Sequence, residues 1–223
     1  MNEQNIYAAP QTKLSREEQV NTALVSPFGA LPKILTRLMI SLLIMFFILF
    51  VIFIVMVVFS IVGHLNLLEL EGLITALVSL YMLVYLITLV VTVVFFFMWI
   101  YRASKNANGF GVSMKYTPRW AVGWHFIPFA CAFMPYLAMK EVLEVSAKDK
   151  GVGKGGLITW WASWVCGVTF YLLGNFMWSG IYIVSYGGSL FTLLSIVAFV
   201  LATIFGVIMI KRITKLQEEY SRD

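Results

Sequence analysis

WAVGWHFIPFACAFMP, residues Trp120–Pro135, decides how this chain is threaded. The stretch is apolar enough to enter a bilayer, yet it holds Pro128, Pro135 and His125. Each proline removes a backbone donor and disfavours an unbroken helix. The stretch can cross a membrane, dip into it and return, or lie along its surface. The residues on either side choose among these.

Four long uncharged runs surround it. Leu38–Val62 has 25 residues, Leu73–Tyr101 has 29, Leu157–Ile183 has 27 and Leu190–Ile210 has 21. Roughly 20 apolar residues span the hydrocarbon core as a helix. The first two runs are long enough to tilt or to extend past it. Charged residues make up 12% of the chain, against about 25% in a soluble domain. The expected fold class is an all-α membrane protein with four transmembrane helices.

Charge then sets the threading. The 16 Lys and Arg residues fall into four groups: Lys13 to Arg37, Arg102 to Arg119, Lys140 to Lys154, and Lys211 to Arg222. The loop Gly63–Gly72 and the turn Ser185–Ser189 have none. If Trp120–Pro135 crossed, the last two groups, eight of the 16, would lie outside. If it does not cross, all 16 lie inside, as the excess of Lys and Arg in cytoplasmic loops requires. The sequence therefore predicts both termini in the cytoplasm. Residues 120–147 form a Pro-broken re-entrant or flat interfacial segment on that side.

Within the segment the residues predict a half-helix from about Trp120, a break near Pro128, and a second helix from about Pro135 to Ala147. Trp120 and Trp124 are four apart and share a helical face, suited to headgroup level. YLAMKEVLEVSA (136–147) sets Leu137, Met139, Val142, Leu143 and Val145 against Lys140, Glu141 and Glu144, an amphipathic helix leaving the interface. A broken backbone at membrane depth must be covered by protein or line a wet cavity.

The domain layout expected is a polar tail over 1–33, one integral membrane domain over 34–216, and a C-terminal tail over 217–223. No cleavable signal peptide is expected: the first apolar run is too long and reads as an uncleaved anchor. The tail beginning IKRITK should prolong the last helix, with Ile213 and Leu216 on one face and Lys215–Glu219 as an i,i+4 pair. Ala198, Ala202 and Gly206 are each four apart, as are Ser163 and Gly167. Such small residues mark close helix packing, within the chain or in a homo-oligomer. Cys131 and Cys166 read as buried free thiols.

Trp99–Gly111 reads WIYRASKNANGFG, and Tyr116–Ser146 reads YTPRWAVGWHFIPFACAFMPYLAMKEVLEVS. Their spacing, Trp99-x-Tyr101-Arg102-Ala103-x-x-Asn106 and then Pro118-x-Trp120-Ala121-Val122-Gly123-Trp124, with Pro128, Pro135, Tyr136, Glu141 and Ser146, resembles the bacterial membrane family called domain of unknown function 4328. The resemblance implies a multi-pass fold in a bacterial inner membrane and no assigned activity. His125 replaces an aromatic of the family pattern, Cys131-Ala132 an Asn-Leu pair, and Met134 a position that is often basic.

The chemistry of sites is sparse. The four runs hold no Asp, Glu, Lys or Arg, the usual mark of a proton or ion pathway. Ser60 and His64 are four apart and read as a capping or interfacial pair. Trp178-Ser179-Gly180 lacks the preceding glycine of a rhomboid-type serine motif, since Met177 stands there. KDKGVGKGG (148–156) lacks Walker spacing. Two histidines and two scattered cysteines make no recognisable metal or heme site. No enzyme, cofactor, metal or nucleic-acid partner is expected.

The densest polar constellation is Arg102, Asn106, Arg119, Lys140 and Glu141, set among Trp120, Trp124, Pro128, Pro135 and Tyr136. Arg102 is expected to pair with Glu141 or with carbonyls freed at the prolines, or the group recognises an anionic lipid headgroup or a protein partner. The function favoured is a non-enzymatic scaffold or regulatory component working through this inner face. The alternative is a small transporter or channel lined by the broken segment.

Overall fold

The computed structural model of the chain describes residues 26–62, 71–148, 153–178 and 185–222, and every regular element among them is a helix. These are α1 (Leu31–Val62), α2 (Glu71–Gly109), α3 (Pro118–Gly123), α4 (Met134–Ser146), α5 (Gly155–Trp178) and α6 (Ser185–Tyr220). Two single-turn 3-10 helices, Trp124–Phe126 and Ala130–Ala132, lie between α3 and α4. Helices α1, α2, α5 and α6 are each long and apolar enough to cross a membrane.

The path is simple. α1 leaves one end of the bundle and α2 returns to it. The short elements from α3 to α4 are built at that end, then α5 leaves and α6 comes back. All the Lys and Arg residues of the described chain lie there, so we call it the basic end. The core is there too. Phe28, Leu35, Trp99, Ile100, Ala138, Met139, Val142, Trp160, Ile210 and Ile213 form one buried cluster. Away from it, α1 and α2 leave large apolar side chains such as Phe47, Leu80, Leu83 and Leu86 exposed.

α5 and α6 are the exception, packing closely along their length. Ala198, Ala202, Gly206 and Gly167 are buried on this seam and Ser163 is half-buried. A Cβ at Gly167 would lie 3.0 Å from the Phe199 ring, and one at Gly206 would lie 3.1 Å from Met39 and 3.2 Å from Trp160. The small residues thus let α6 approach both α5 and α1.

Several expectations are corrected. α6 begins at Ser185, so the residues read as an outer turn are already helical; continuing the helix keeps backbone donors paired. The apolar side of α4 faces protein: Pro135, Ala138, Met139, Val142 and Leu143 are buried, and α4 contacts α2, α5 and α6. It is not a helix laid open on an interface. Phe28 and Gln217, which fall within the expected polar tails, are both buried. Cys131 and Cys166 are free thiols, but Cys131 is half-buried and Cys166 exposed. His64, the Ser60 side chain, residues 1–25, residues 149–152 of KDKGVGKGG and Ser179-Gly180 lie outside the described residues.

Candidate functional site at the basic end

Four constructions hold the basic end together. The first straps the segment before α1 to α2. The Asn106 side chain accepts from the Ser26 N–H (2.9 Å) and donates to the Ser26 carbonyl (3.0 Å). One turn earlier, Arg102 donates to the carbonyls of Pro27 (3.1 Å) and Phe28 (3.2 Å). The expected Arg102–Glu141 pairing does not form, because these carbonyls take the guanidinium. Phe28 then plugs into the core at 3% exposure.

The second construction fixes the entry to α3. Glu141, on α4, accepts the backbone N–H groups of Lys115 (2.6 Å) and Tyr116 (3.2 Å). A carboxylate holding two amides is a charge-assisted clamp on a connection that would otherwise be loose. Thr117 caps α3 by accepting from the Trp120 N–H, and Pro118 opens its first turn.

The third is a polar knot that sequence reasoning missed. Gln217, fully buried on α6, donates to the Ala103 carbonyl of α2 and to the Ser146 hydroxyl of α4, both at 2.9 Å. The Ser146 hydroxyl in turn donates to the Val142 carbonyl at 2.6 Å. Beside the knot, the Trp99 indole donates to Thr214 at 3.2 Å. The available signal was spacing: Ile213, Thr214 and Gln217 continue the buried stripe of Met209 and Ile210.

The fourth is an aromatic box around the broken segment. His125 sits 5.2 Å from the Phe97 ring, 6.4 Å from Phe96 and 6.1 Å from Trp161. Its Nδ1 is 3.1 Å from the Val122 carbonyl. Burial lowers its pKa from the ordinary 6.5, against the opposing pull of the Val122 and Ala121 carbonyls. Trp120 and Trp124 pair at 4.7 Å, as their spacing predicts. Trp161 donates to the Ala132 carbonyl at 2.8 Å, and local turns take other groups released by the break. Phe129, just after Pro128, is held at φ 63° and is 88% exposed. A non-glycine residue in that region is strained.

Between the strap, α2 and α3 lies a groove of about 600 Å³. Its apolar wall is Leu31, Val94, Phe97, Met98 and Val122; Tyr101 and Ser26 lie at the level where polarity changes; Arg102, Lys105 and Arg119 form the basic part. No carboxylate among the described residues pairs with Lys105 or Arg119. Elsewhere on this end Lys154 bonds Glu144, and Lys215 lies 3.8 Å from Glu219.

The family model described as domain of unknown function (DUF4328) matches residues 69–215, from just before α2 to the last turns of α6. The chain belongs to the DUF4328 family. No curated protein and no solved structure matches it. In this DUF4328 chain, the motif residues Trp99, Ala103, Asn106, Ala121, Pro135 and Ser146 are buried at the basic end. Tyr136 is half-buried, while Arg119, Trp120 and Pro128 are exposed. The motif therefore describes how the short elements lock against α2. The departures Cys131, Ala132 and Met134 lie on the broken segment and at the start of α4 and do not line the groove.

Proposed function

We propose that this DUF4328 protein is a multi-pass inner-membrane scaffold or regulatory component that performs no catalysis and engages anionic lipid through its basic end. The observation that carries the reading is the coincidence of the packed core with every described Lys and Arg at one end. A basic end of this kind faces the cytoplasm and meets an anionic leaflet, with about 1 kcal/mol of attraction per juxtamembrane cation.

Depth supports the same placement. Phe97 packs on His125 and Phe126 and stands five residues before Arg102. Trp161 holds Ala132 and stands seven residues after Lys154. With Arg102 and Lys154 at headgroup level, a 1.5 Å rise per residue puts the broken segment about 7–10 Å inside. That is the depth at which apolar faces of interfacial segments rest. The segment is then a shallow re-entrant hairpin, and the exposed Phe126, Phe129 and Phe133 rings enter the inner leaflet.

The test is the lipid composition around the protein extracted with its native annulus in polymer nanodiscs. Anionic phospholipid enriched at least twofold over the bulk membrane is the expected result. Bulk composition, or a stoichiometric protein partner in place of the enrichment, would overturn the reading.

A further inference from the structure

The groove beside the strap is shaped for a single molecule rather than for a diffuse layer of charge. Val94, Phe97, Met98, Tyr101, Arg102 and Lys105 recur at helical spacing and make one stripe along α2. Its first part is apolar and its last part basic. From Val94 to Tyr101 is seven residues, about 10 Å of apolar wall at 1.5 Å per residue. The half-thickness of a bilayer's hydrocarbon core is about 15 Å. The wall thus follows the upper two thirds of an acyl chain, and the cations begin where the headgroup phosphate would sit.

The opposite bank completes the match. Arg119 reaches the groove from the first turn of α3 and Val122 from the next. Arg102 spends one terminal nitrogen on the strap carbonyls, and a guanidinium has further donors. The volume, about 600 Å³, is within the range of small-molecule sites. We propose that this groove binds one anionic phospholipid. Its phosphate lies among Arg102, Lys105 and Arg119, and one acyl chain lies along Val94, Phe97 and Met98. This deepens the proposed function and rests on it for the side of the membrane.

The experiment is a native mass-spectrometric titration of the delipidated full chain in detergent. The probes are phosphatidylglycerol, phosphatidylcholine and soluble glycerol phosphate. One phosphatidylglycerol adduct should saturate at a concentration at least tenfold below phosphatidylcholine, and glycerol phosphate should neither bind nor compete. Lys105→Gln and Arg119→Gln should each weaken the first adduct about fivefold, the equivalent of 1 kcal/mol per cation. Val94→Trp, which fills the apolar wall from an exposed helix position, should abolish it. Lys211→Gln with Lys215→Gln, outside the groove, should leave it unchanged.

Equal weakening by the Lys211/Lys215 pair would overturn the groove while leaving a general anionic preference. Glycerol phosphate binding as tightly as the lipid would also overturn it, because the site would then be a plain anion site. No preference for phosphatidylglycerol over phosphatidylcholine in any variant would remove the groove and the proposed function together.

Discussion

The basic end and the outer halves of α1 and α2 come from the same apolar chain, yet they are built differently. At the basic end, side chains from α1, α2, α4, α5 and α6 close one core, and polar groups bond across elements: Gln217 to Ala103 and Ser146, Trp99 to Thr214, Asn106 to Ser26. Along the apolar helices, Thr88, Thr92, Thr169, Asn175 and Thr203 donate hydrogen bonds to the carbonyl four residues back. Tyr81, which donates across to the Met45 carbonyl, is a rare bond between spans. In hydrocarbon an exposed leucine costs nothing, so long helices need little packing there. Where the helices meet water, a packed core and paired polar groups become necessary.

This contrast can be broken by substitution, and the largest effect should fall on Trp99. Trp99→Ala empties a fully buried site and should cost about 3–5 kcal/mol. Leu80→Ala, at an exposed position of the same helix, should change stability by less than about 0.5 kcal/mol. Thermal midpoints of the two variants in one detergent check the difference. Similar losses would mean that the outer helices pack as tightly as the basic end.

Gln217→Leu comes next. It keeps the volume and removes two buried bonds, to the Ala103 carbonyl, which stays inside the α2 helix, and to the Ser146 hydroxyl, along with the Gln217 Oε1 that has no partner among the described residues. A loss of about 2 kcal/mol is expected, read as faster exchange of amides at the ends of α2 and α4. Gly206→Val tests the α5–α6 seam where it joins the core of the basic end. Its side chain would press on Met39 and Trp160, at a cost of about 1–3 kcal/mol, measured as a lowered midpoint against Leu194→Val on the exposed face of α6.

The smallest effect is that of pH on His125. Its pKa is lowered by burial in the folded chain, so below about pH 6.5 the unfolded chain binds a proton that the folded chain refuses. Stability is full above that pH and falls as pH drops below it. Midpoints measured between pH 7.5 and 5.5 should show the fall, and His125→Phe should remove it.

Much of the fold was legible because span length is a property of composition. The uncharged runs predict α1, α2, α5 and α6, and the spacing of Trp120, Trp124, Pro128 and Pro135 predicts a broken pair of short helices. The face that α4 turns inward was not legible. Apolar residues at period 3.6 look the same whether lipid or protein covers them. Nor was the strap: Ser26–Phe28 reads as polar tail, and only Asn106 and Arg102, some 75–80 residues away, give it a place. The constellation was found by its density, but Arg102, Asn106, Arg119 and Glu141 do different work. Asn106 and Glu141 hold backbone, Arg119 borders the groove, and Arg102 does both. Lys105, one turn past Arg102, carries no signal of its own, because a lone lysine after a span is ordinary.

Everything proposed about lipid depends on which side the basic end faces. In a chain carrying Cys131→Ser and Cys166→Ser, Ser113→Cys marks the basic end and Gly187→Cys the opposite one. Each is treated with a membrane-impermeant maleimide on intact cells and after lysis. Labelling at position 187 on intact cells, and at position 113 only after lysis, is the predicted result. Labelling at position 113 on intact cells would put the basic end outside, and the inner-face lipid site would be wrong.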